Sequence, residues 1–212
     1  MVHTSLLANP QRFIVKINGL SDEGITIDKG VARAKRDAAD FADKYVTNFQ
    51  LVSELQASLE QFSSRWVKTL QDTRDAASSI SAWYLSFVEV FISMLEDVTT
   101  DGDVKDVIKE FNSLLDGELP SNKYPLDSTP GVKDAFNEIE ALVGRAVVFL
   151  LSTLRQPVQV IGESTHIVDV LKEANAINRK KVVEGLKKEL VPVKTGAGEI
   201  RQALNKYATK LD

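Results

Sequence analysis

The sequence predicts an all-α fold: an elongated antiparallel bundle of long amphipathic helices, with a short helical and loop insertion between two halves. Three observations carry that expectation. Between Gly30 and Gly102 there is neither Gly nor Pro, the residues that turns normally recruit. Apolar residues inside that stretch recur at steps of three and four, the helical period. Strand-like patterning is confined to two short runs, 12–17 and 24–28, both inside an N-terminal segment of residues 1–30.

The first helical half covers 31–98. Its apolar series runs Phe41, Tyr45, Val52, Leu55, Leu59, Phe62, Trp66 and Leu70, then Ala77, Ile80, Tyr84, Phe87, Phe91, Leu95 and Val98. The phase slips near Leu70, so the stretch reads as one helix of about 90 Å or as two helices broken near 73–81. An acidic connection follows over 99–130, with seven Asp/Glu against three Lys/Arg. Asp101 or Asp103 caps a short helix over 104–115, because a carboxylate accepts backbone N–H bonds at a helix start. Asp116-Gly117 ends that helix and 120–129 is loop. Ser128-Thr129-Pro130 then reads as a helix start, a hydroxyl cap with Pro in the first turn. The second half, 131–191, is kinked or ended at Pro157 and continues as an amphipathic segment over 163–191. Pro192 stops it, and a short C-terminal helix completes a single domain of 1–212. Residues 83–98 are expected to lie against 131–150.

Composition narrows the chemistry. The chain has 212 residues, no Cys, two His and a formal charge of −4. Without Cys there is no disulfide, thiolate nucleophile, zinc ribbon or iron–sulfur ligand. The mild net charge argues against a nucleic-acid partner. Residues 1–10 lack the basic and apolar regions of a secretory signal. No apolar run reaches the roughly 18–20 residues of a standing transmembrane helix. The compartment stays open, between cytoplasm and secretion by a signal-less or already processed route.

Candidate reactive groupings are incomplete. Glu163 and His166 have the Glu-x-x-His spacing of di-iron bundles, but those need a second such motif, and the other histidine is His3. Ser164 or Thr165 reads more simply as a helix cap. No Gly-x-Ser-x-Gly elbow is present, and Glu138 and Glu140, two apart, point to different sides of a helix. Lys194-Thr195-Gly196-Ala197-Gly198 lacks the order and the preceding strand of a phosphate loop and reads as a hinge. No catalytic residue, cofactor or metal site is therefore expected.

Two surfaces suggest binding instead. Residues 82–95 are apolar nearly all round apart from Glu89, and 141–154 apart from Arg145. Such helices sit in a core or meet lipid or a partner. Trp83, Tyr84, Phe87, Phe91, Val147, Phe149 and Leu150 are the candidate membrane or partner contacts, and Glu89 can pair with Arg145. Residues 172–212 hold ten Lys/Arg against five Asp/Glu. There Lys172, Arg179, Lys180, Lys187 and Lys188 are the candidate contacts to an anionic surface, opposite the apolar series from Ile167 to Leu190. They equally suit an acidic partner, or simply a solvated face. In layout, though in no motif, this resembles helical pore-forming cytolysins and exchangeable lipid-binding bundles. The expected function is non-enzymatic, a membrane- or lipid-associating bundle; the alternative is a cytosolic coiled-coil protein for partner binding or self-association.

Overall fold

The computed structural model describes residues 9–45, 50–117, 156–175 and 177–211. Of these, 91% are helical and none lies in a strand, so the chain is an all-α bundle. The described residues contain five helices. They are α1 (Gln11–Tyr45), α2 (Gln50–Ser86, continued through a π-helical stretch Phe87–Ile92 into Ser93–Glu96), α3 (Asp101–Asp116), α4 (Gln156–Lys172) and α5 (Arg179–Lys210).

Both expected strands, 12–17 and 24–28, lie inside α1. Its glycines hid the helix. Gly24 sits where three helices meet: a Cβ there would lie 3.7 Å from Leu70 Cδ2 and 3.8 Å from Leu211 Cδ2, ordinary contact distances. Helices α1 and α2 are separate and pack on one another, and α2 crosses 73–81 as regular helix.

Three helices form the body of the bundle, and their register is fixed by long-range bonds. Gln11 Nε2 donates to Glu199 at 3.1 Å and Lys210 Nζ to Asp22 at 2.7 Å, each joining residues 188 apart, so α1 and α5 run parallel. The Lys210 bond holds the Asp22 carboxyl below its ordinary range. Helix α2 opposes α5: Thr73 meets Tyr207, Ser81 meets Asn205, and Glu96 meets Lys194, at 3.0, 2.6 and 2.8 Å. Pro192 lies inside α5 and does not end it. A proline there removes one intrahelical bond and crowds the preceding turn. The helix is held across it by buried Leu190 and Ala197, the Lys194–Glu96 pair, and the Thr195 hydroxyl donating to Val191 O at 3.0 Å. The expected hinge at 194–198 is likewise helical, with Gly196 buried.

The change of phase falls at Phe87–Ile92, not near Leu70. A π turn closes five residues on, which brings Phe87 and Ile92 almost onto one side. Phe87, Phe91 and Ile92 are all fully buried as a result. The Ser93 hydroxyl donates to Val88 O at 3.3 Å across the widened turn. Rings then form a ladder: Trp83 on Phe87 at 5.4 Å, Phe87 on Phe91 at 5.5 Å, Phe91 on Phe111 of α3 at 5.4 Å.

Helix α3 starts earlier than the sequence suggests, and its cap is Thr100 rather than an aspartate. The Thr100 hydroxyl accepts from the Asp103 amide at 3.1 Å, and the Asp103 carboxylate accepts from the amides of Thr99 and Thr100 at 2.8 and 2.7 Å. These bonds, the Thr99 amide first, hold the Asp103 carboxyl down from 3.8 to about 2. Val104, Val107, Phe111 and Leu114 form its buried stripe, and Gly117 ends it as expected. The expected helix from Ser128-Thr129-Pro130 lies outside the described residues. Pro157 stands in the first turn of α4, where its missing N–H has no partner to lose; the helix expected before it lies outside the described residues. The segment over 163–191 is two helices, separated at Glu173–Asn178, and Ser164 and Thr165 lie within α4 instead of capping it.

Candidate functional site

The first candidate surface is the apolar stretch of α2. Where the sequence reading found no run long enough to span a bilayer, the helix Ser53–Glu96 contains a window that is, by length and composition only, apolar enough to cross a membrane. The bundle covers one side of it. Tyr84, Phe87 and Phe91 are fully buried and Trp83 is half-buried, so these four stand in the core ladder rather than on an open surface. Buried residues make up 39% of the helix's most apolar window. On the other side Leu85 and Val90 remain 37% and 41% exposed, beside exposed Ala82 and Glu89. Sequence reasoning named the inward members of this helix and passed over the outward ones. The apolar period through Tyr84, Phe87, Phe91 and Leu95 runs on the inward side and leaves out Leu85 and Val90. Val147, Phe149 and Leu150, with the whole of 141–154 and the Glu89–Arg145 pairing, lie outside the described residues.

The second candidate is the basic strip. Lys172 is exposed near the end of α4 and forms a loose pair with Asp169 at 3.5 Å. Lys180, Lys187 and Lys188 are exposed on α5, joined there by Lys181. Arg179 does not belong with them. It is buried, paired with Asp101 at the start of α3, and Nη1 reaches Thr99 O at 3.5 Å. Its position at the first residue of α5, next to the capped start of α3, makes it a tie between two helix ends. Spacing alone placed Arg179 in the strip, seven residues after Lys172; its contact with Asp101 buries it, beyond a turn that the sequence reading had as continuous helix.

That turn carries a residue that the sequence reading put in the apolar series of the 163–191 segment, on the side away from the lysines. Ile177 is 96% exposed. The turn that presents it is closed by two asparagines: Asn175 Oδ1 accepts from the amides of Ile177 and Asn178 at 3.0 and 3.2 Å, and Asn178 Oδ1 accepts from the Asn175 amide at 2.7 Å. The pair Asn175…Asn178 was the available signal for a turn, since asparagine side chains readily bond nearby backbone.

Glu163 and His166 fall on α4, and among the described residues no three His, Asp or Glu side chains converge to hold a metal ion. The most shifted buried group, Tyr207, has its hydroxyl pushed up by burial and partly restored by Thr73; it is a packing contact between α2 and α5. No protein-family model matches the chain, and no curated protein matches it either.

Proposed function

We propose that the protein is a non-enzymatic bundle that associates with lipid membranes through the outer surfaces of its amphipathic helices. The observation that carries this reading is the one-sided cover of α2, the apolar helix whose outward face keeps Leu85 and Val90 open to solvent. Magnitudes order the contributions. Full burial of a Val or Leu side chain yields about 1.5–3 kcal/mol, so the exposed fractions of these two give about 2 kcal/mol together. That alone is weak adsorption. Each lysine near an anionic surface adds about 1 kcal/mol, so the exposed lysines of α5 contribute more than the aliphatic side chains. Releasing Phe87 and Phe91 from the core costs about 3–5 kcal/mol for each ring. Adsorption of the closed bundle therefore precedes any opening of it.

Co-sedimentation with phosphatidylcholine–phosphatidylserine vesicles at low salt tests the reading. Binding is expected, and raising the salt is expected to release the chain. A chain that stays in the supernatant at low salt overturns the proposal.

A second reading, self-association, has its own observation. Helix α5 stops level with Gly24 and Leu70, so the outer parts of α1 and α2 lie beyond its end. Phe41 and Leu55 there are half-exposed. An antiparallel pair of such hairpins would cover them. Light scattering across concentration reads this directly: growth of the particle supports it, and a strict monomer overturns it.

A further inference from the structure

We propose that the outward stripe of α5, with Ile177 at one end and Val191 at the other, is the face by which the protein docks on an anionic bilayer. This rests on the membrane reading and names the surface and the lipid for it.

The stripe follows from helical spacing. Lys180, Glu184, Lys187, Lys188 and Val191 fall at steps that keep one side of a helix, and all are exposed, as is Lys181 beside them. The opposite side is spent on the bundle through buried Val183, Leu186 and Leu190. Four lysines against Glu184 and the neighbouring exposed Glu189 leave the outward side with a net positive charge. The aliphatic ends distinguish it from an ordinary solvated face. Val191 is 60% exposed and Ile177 96% exposed, and the Asn175–Asn178 bonds hold the turn that projects Ile177. From the start of α5 at Arg179 to Val191 lie about 18 Å of helix at 1.5 Å per residue. Lysines between projecting aliphatic side chains match the boundary of headgroup and acyl chain, where lysine stems lie in the apolar layer and their ammonium groups reach back to phosphate. An acidic peptide satisfies the lysines but leaves Ile177 and Val191 without a complement. Docking here uses side chains already outside, and it leaves the aromatic ladder of α2 closed.

The chain has no cysteine, so Ile177→Cys and Val191→Cys each accept one environment-sensitive fluorophore; Glu23→Cys, exposed on α1, is the control. With phosphatidylcholine–phosphatidylserine vesicles the labels at 177 and 191 are expected to shift blue and lose access to an aqueous quencher. The label at 23 is expected to do neither, and pure phosphatidylcholine is expected to leave all three unchanged. Lys180→Gln with Lys187→Gln should lower partition about thirtyfold, with helical content unchanged because both side chains are exposed. If the unlabelled chain co-sediments while labels at 177 and 191 stay in water, the docking face is wrong and the membrane reading stands. If the unlabelled chain does not co-sediment, both fail. If the lysine variant loses self-association but keeps its lipid partition, the stripe belongs to an acidic partner and the proposal is overturned.

Discussion

Replacing Phe91 by Ala tests the packing of the bundle at its most constrained point. Phe91 sits in the π-helical stretch, is fully buried, and touches Phe87 at 5.5 Å and Phe111 at 5.4 Å. Truncating a buried Phe costs about 3–5 kcal/mol through lost transfer energy and the remaining cavity. Two aromatic contacts vanish with it, each worth about 0.5–1.5 kcal/mol beyond area. The loss therefore falls in the upper part of that range, about 4–5 kcal/mol. For a chain of this size one kcal/mol lowers Tm by about 2–4 °C, so Phe91→Ala should melt at least 8 °C lower. Val90→Ala, one residue away and 41% exposed, should cost about 0.5 kcal/mol or less. Urea unfolding followed by far-UV circular dichroism reads both, with equal slopes required for the comparison. A Phe91→Ala loss below about 1 kcal/mol, or one equal to that of Val90→Ala, would refute the inward rotation assigned to the π turn.

Further outcomes follow from the same geometry. Pro192→Ala should stabilise by about 2 kcal/mol in urea, because a helix-interior proline costs about 3 and its stiffening of the unfolded chain returns under 1; no change would mean that the helix ends there. Asp103 has a depressed folded pKa, so its contribution is present above about pH 4 and is lost as pH falls towards 2; hydrogen exchange at the start of α3 should accelerate over that window in the wild type and be fast throughout in Asp103→Asn. Tyr207 has a raised folded pKa, so its contribution is full below about pH 10 and declines as pH rises beyond it; melting of Tyr207→Phe should lack that extra alkaline loss. Asp101→Asn should destabilise by about 1–2 kcal/mol, below the 3–5 of a fully buried pair because Asp101 itself is open to water; a double-mutant cycle with Arg179→Gln isolates the pair.

The helical class was legible because the apolar period survives over long stretches of α2, α3 and α5. The ends of helices were less so. Proline and glycine were read as stops at Pro157, Pro192 and 194–198, yet packing on both sides of Pro192 overrides its local cost, and Pro157 is favoured in a first turn. Conversely, α1 ends before α2 without either residue, so nothing in the 31–98 pattern marked the break. The glycines of α1 and the alternation of Ile25 and Ile27 imitated short strands. For the surfaces, spacing found Lys180, Lys187 and Lys188, but could not separate Arg179, whose burial depends on a contact with Asp101, 78 residues earlier in the sequence. The inward aromatic residues of 82–95 were legible in the helical period through Tyr84, Phe87 and Phe91; the exposure of Leu85 and Val90 emerged only with the fold, and Ile177, read into an apolar series, proved to stand in an exposed turn.

The central claim is that this bundle meets lipid through surfaces it already presents while closed. The most direct measurement is vesicle partition of the intact chain as salt is raised, with helical content followed in parallel. The account predicts binding to phosphatidylserine-containing vesicles at low salt, release as the Debye length shrinks from about 30 Å to about 3 Å, and unchanged helicity throughout. A chain that ignores these vesicles at low salt, or binds them only as its helices unfold, would contradict it.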